Sequence, residues 1–140
     1  MIKLILLDLD GTLIDFESAE RNAFQKTFYA AGFKGNLDKL KSDYHSINQK
    51  LWNQLEEGAI SSQELKTRRF EELLKIYDFD WNAERFSETF LSFLGQEHQL
   101  IDGAMEICQY LSDKYQVIFV TNGFEEVQKS RISGTQLLNH

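Results

Sequence analysis

The sequence predicts an α/β fold: a partial Rossmann-like parallel-sheet core, interrupted by an all-helical insertion. Three observations predict it. Residues 3–8, "KLILLD", and 116–121, "QVIFVT", are continuous apolar runs that close on a polar residue, the pattern of parallel strands covered on both faces. Between them the sequence is helical in pattern almost throughout. Both runs also end on residues able to do chemistry, Asp8 and Asp10 after the first, Thr121 and Asn122 after the second. Ligands of open parallel sheets bind at those carboxyl ends.

The helical segments are expected at 17–31, 37–57, 61–77, 82–94 and 102–114, punctuated by Gly32, Gly35, Gly58 and Gly95. Gly58 sits where a glycine closes a helix, and Ser61 with Glu64 forms a capping box that opens the next. A βαβ crossover needs only one helix, so the segment at 102–114 is the crossover and the other four are inserted. Residues 1–15 and 96–140 then form the core, and 16–95 the helical insertion. Beyond the second strand, "FEEVQKSRISG" reads as a polar helix, with Glu125 and Glu126 favouring its dipole and Lys129 on a solvated face. Cys108, the single cysteine, lies among apolar neighbours in "GAMEICQYL" and is expected to be a buried structural thiol.

Composition narrows the function. A formal charge of -7 over 140 residues argues against a nucleic-acid polymer as partner, which requires a basic stripe. It does not argue against a small phosphate, which a metal ion and backbone N–H groups can hold. No apolar run approaches the roughly 18 residues of a membrane span, and "MIKLILLDLD" lacks a cleavage site, so a cytoplasmic location is expected. A two-stranded sheet with open edges makes self-association an expectation too.

Two carboxylates one residue apart suit a divided task, one attacking a phosphorus atom while the other moves protons. Gly11 lets the backbone turn sharply beside them. Thr121 and Asn122 can supply a hydroxyl and N–H groups to phosphoryl oxygens. A surface turn also accounts for "DLDGT", and a strand running into a turn for "VTNG". An EF-hand does not, because its glycine belongs at the sixth position and Gly11 follows Asp10 directly. A competing class is a non-catalytic acidic helical module that binds a partner protein, which explains the helices and the charge but not the two strand-end motifs.

The stretch "DLDGTL" resembles the first motif of the haloacid dehalogenase (HAD) superfamily, and "FVTNG" at 119–123 resembles its second. Residues 48–70, "NQKLWNQLEEGAISSQELKTRRF", resemble the helical cap of its pyrimidine 5'-nucleotidase type. The resemblance implies a HAD-like core with a cap at 16–95, and a phosphatase acting on small phosphate monoesters, nucleoside 5'-monophosphates first. Asp8 would be the nucleophile that forms an aspartyl-phosphate, Asp10 the acid and base, and Thr121 the grip on the phosphoryl group. Mg²⁺ would be held by the Asp8 carboxylate and the backbone carbonyl of Asp10. The aspartate at position 10 favours phosphoryl transfer over dehalogenation.

Members of the superfamily also carry a later lysine, often followed by proline, and an acidic motif after a further strand. Neither is present, and the chain is expected to be a shortened, impaired form of a larger phosphatase. Trp52, Arg69 and Phe70 are candidates for substrate recognition, by stacking on a base or binding an oxygen. The alternatives are that Trp52 and Phe70 pack the cap's own core and that Arg69 sits in water.

Overall fold

A computed structural model describes residues 1–135 and 137 and gives seven of the eight expected elements within two residues of their predicted ends, the eighth being the polar helix after the second strand. The order is β1 (Leu4–Asp8), α1 (Phe16–Ala30), α2 (Asp38–Glu56), α3 (Ser62–Ile76), α4 (Ala83–Gly95), α5 (Ala104–Ser112), β2 (Gln116–Val120) and α6 (Glu125–Gly134). β1 and β2 pair in parallel, in a register that sets Leu4 against Gln116 and Asp8 against Val120. The two strands therefore end level, with Asp8 at one tip and Thr121 next after the other.

The strands are covered on one face only, where the apolar runs predict two. Leu7 and Phe119 pack on a cluster of Leu9, Leu13, Ile14, Ala104, Cys108 and Leu137. Leu4, Leu6, Ile118 and Val120 alternate with them and are exposed. The reason is the period of two along a strand: α5 supplies Ala104 and Cys108 to one face, and among the described residues nothing covers the other.

Two glycines mark obligatory turns. Gly11 adopts φ +78°, and the turn it makes donates the N–H groups of Thr12, Leu13 and Ile14 to the carbonyl of Leu9. Added methyls at Gly11 and Gly58 would meet nothing, so the demand at both is conformational. Gly58, at φ +77°, ends α2 and donates its N–H to the carbonyl of Leu55. The predicted capping box is formed: Ser61 Oγ accepts from the Glu64 N–H at 3.1 Å, and Glu64 Oε2 accepts from the Ser61 N–H at 2.8 Å.

The chain divides into two compact units, Met1–Ala23 with Ser92–His140, and Phe24–Leu91. Both divisions fall inside helices, α1 and α4. The first unit holds the sheet, α5 and α6. The second is built on aromatic packing: Tyr44 stacks on Phe70 at 5.5 Å, Phe28 meets Phe86 edge-on at 4.8 Å, and Trp81 stacks on Phe79 at 4.6 Å.

Candidate active site

The candidate site lies within the first unit, at the level tips of β1 and β2. Asp8 is exposed, with the Thr12 hydroxyl 3.5 Å from its Oδ2. Two residues on, Asp10 is drawn the other way, toward α6. Its Oδ1 accepts from Arg131 Nη1 at 2.6 Å and its Oδ2 from Gln128 Nε2 at 2.7 Å. The same Gln128 nitrogen donates to Thr121 Oγ1 at 2.7 Å, which also accepts the Gly123 N–H at 3.1 Å. One amide thus joins the motif after β1 to the motif after β2.

Arg131 is the anchor of this network. It is 1% exposed, donates through Nε to the carbonyl of Glu97 at 3.0 Å and through Nη1 to Gln128 Oε1 at 2.9 Å, and lies over the ring of Phe16. Burying a guanidinium costs less beside an opposite charge, and Asp10 supplies one here. Gln128 is 4% exposed. Neither residue is among those the sequence singles out. The signal is faint: both share a face with Val127, the one apolar residue in the first two turns of α6, while Lys129 points away.

The remaining expected residues divide. Asn122 is exposed in the turn after β2. Lys129 and Glu125 are exposed and paired with each other at 2.6 Å, the ammonium holding the carboxyl below its usual range and the carboxylate holding the ammonium above its own. Cys108 is buried, and burial pushes its thiol up, which disfavours the nucleophilic thiolate. In the second unit, Phe70 is fully buried against Tyr44 and Phe90, so its ring is committed to packing. Arg69 does not sit in water. It is 3% exposed, donates to Asn48 Oδ1 at 3.1 Å and Tyr44 Oη at 3.3 Å, and lies over Phe70 and Phe90. Trp52 is partly buried.

No group of three or more His, Cys, Asp or Glu side chains among the described residues is arranged to hold a metal. A smaller donor set fits a divalent cation. The Asp8 carboxylate is open, and the turn's main-chain hydrogen bonds run to the carbonyls of Leu9 and Ile14, leaving that of Asp10 out. Each oxygen of the Asp10 carboxylate accepts one hydrogen bond, from Arg131 and from Gln128, and keeps a lone pair able to take a proton, while its main-chain oxygen suits the metal.

A profile of the haloacid dehalogenase-like hydrolase family matches residues 2–136. The chain belongs to that family. It is 34% identical over 133 residues to the HAD-hydrolase YfnB of Bacillus subtilis (strain 168), a match covering 95% of this chain and 56% of YfnB. It is 30% identical over 137 residues to pyrimidine 5'-nucleotidase PynA of Streptococcus pneumoniae, covering 97% of this chain and 57% of PynA. Crystallographic YfnB, in an orthorhombic form bound to magnesium, superposes with a TM-score of 0.90 at 32% identity over 99% of this chain and 60% of that one. This member of the family thus spans a little over half the length of the curated relatives it matches.

Proposed function

We propose that the chain carries the phosphoryl-transfer residues of a Mg²⁺-dependent phosphatase of small phosphate monoesters, nucleoside 5'-monophosphates first. The observation that supports this reading is the convergence at two level strand ends of an open carboxylate, Asp8, with a second carboxylate, Asp10, that is bridged to a strand-end hydroxyl, Thr121.

In this reading Asp8 attacks phosphorus in line, its oxygen forming the new P–O bond as the bond to the alcohol oxygen breaks. Asp10 gives the departing oxygen a proton and then takes one from the water that cleaves the aspartyl-phosphate. Thr121 holds a phosphoryl oxygen, and Asn122, exposed beside it, is within the same strand-end turn. Mg²⁺, bound through Asp8 and the Asp10 carbonyl, would offset the repulsion between carboxylate and dianion. The crystal of YfnB with magnesium and the substrate named for PynA support the metal and the nucleotide class.

The test is phosphate release by micromolar chain with Mg²⁺ from a panel of esters at equal concentration. Pyrimidine nucleoside 5'-monophosphates are expected to lead, and Asp8→Asn to abolish release. A hexose phosphate leading the panel would overturn the substrate class. Release unchanged in Asp8→Asn would overturn the reaction.

A further inference from the structure

We propose that Gln128, oriented by Arg131, makes the Thr121 hydroxyl an obligate hydrogen-bond donor toward a bound phosphoryl oxygen and holds that donor in register with Asp10. The proposal rests on the phosphatase reading and assigns two positioning residues to it.

The chemistry of each partner fixes the direction of every bond. A guanidinium only donates, so the Gln128 oxygen faces Arg131 Nη1, 2.9 Å away. That leaves the amide NH₂ facing the other side, where its two hydrogens go to Asp10 Oδ2 and Thr121 Oγ1, each at 2.7 Å. A carboxylate only accepts, which agrees with the same orientation. The Thr121 oxygen also receives the Gly123 N–H. A hydroxyl oxygen has two lone pairs and one proton. With both lone pairs occupied, what Thr121 has left to offer is its O–H, and a phosphoryl oxygen is purely an acceptor.

Burial makes this arrangement hold. Arg131 at 1% and Gln128 at 4% exposure have little water to exchange with, and in such surroundings each bond strengthens its neighbours. Their spacing of three residues on α6 puts both on one helix face, so a single element carries the whole device.

The probe is beryllium fluoride with Mg²⁺, a mimic of the aspartyl-phosphate, titrated into the 140-residue chain by ¹⁹F NMR. Gln128→Leu and the isosteric Gln128→Glu are each expected to weaken binding about tenfold, the usual loss for one hydrogen bond to a charged group. Arg131→Lys, which keeps the charge and loses the fork, is expected to follow them. The deciding readout is a double-mutant cycle with Thr121→Val. Without the hydroxyl, the Gln128 substitutions are expected to have no further effect. Near-UV circular dichroism checks folding, and Gln128→Glu carries the test if Gln128→Leu does not fold. Binding like the parent's in folded Gln128 variants would overturn the proposal alone, as would an equal loss with and without the Thr121 hydroxyl. No binding by the parent, or unchanged binding by Asp8→Asn, would overturn the phosphatase reading and this proposal with it.

Discussion

Arg131 and Asp10 form an ion pair in which one member is almost wholly buried and the other about one-quarter exposed at its side chain. Removing the carboxylate leaves a guanidinium without its charge partner, so Asp10→Ala is expected to destabilise the first unit by roughly 2–3 kcal/mol in urea unfolding. Asp10→Asn, which retains an acceptor, is expected to cost less. A second residue-scale consequence concerns acid. Asp15 caps α1, its Oδ1 accepting the Ser18 N–H at 3.1 Å and its Oδ2 the Ser18 hydroxyl at 2.9 Å. Those hydrogen bonds, the main-chain one first, hold its carboxyl below the ordinary value of 3.8. The stabilisation is therefore complete above that value and lost as pH falls through the lower, folded one. Asn caps without titrating, so the parent chain is expected to lose thermal stability relative to Asp15→Asn as pH is lowered below about 4. A difference in Tm that stays constant from pH 6 to 2.5 would contradict this.

Helices and strands were legible wherever local chemistry decides. Apolar runs located β1 and β2, glycines and caps bounded the helices, and the Ser61–Glu64 box was visible as spacing alone. Ser61→Ala is accordingly expected to cost about 1 kcal/mol, read from urea unfolding followed in the second unit's aromatic signal. Legibility failed where a distant contact decides. The segment after β2 looks solvated because its residues are polar, yet Gln128 and Arg131 are buried by bonds to Asp10, 118 and 121 residues away. Arg69 misled in the same way, since Tyr44 and Asn48, on another helix, take it out of water. The one-sided sheet is the converse case: a fully apolar strand states that both faces can be covered, and says nothing of what covers them.

At the scale of the whole molecule, the phosphatase reading makes the site's charges decide how fast the 140-residue chain would work. Enzymatic phosphoryl transfer is mainly positioning plus electrostatic stabilisation, so each positive element at the phosphoryl group lowers the barrier. The lysine and the arginine that follow the second strand are already engaged. Lys129 is 74% exposed and bound to Glu125, and Arg131 is held by Asp10, Gln128 and the carbonyl of Glu97. For a metal ion the described residues offer one open carboxylate and one free carbonyl, and no third acidic, histidine or cysteine ligand beside them. Asp8 and a phosphate dianion would thus meet with their repulsion only partly offset. The expected result is weak Mg²⁺ binding and hydrolysis of a generic aryl phosphate about 10³-fold or more below the roughly 10 s⁻¹ of an ordinary enzyme. The measurement is Mg²⁺-dependent phosphate release by the purified chain, with Asp8→Asn as the control for contamination. Turnover of several per second that vanished in Asp8→Asn would show that Asp8, Asp10 and Thr121, held by Gln128 and Arg131, suffice without a further fixed cation.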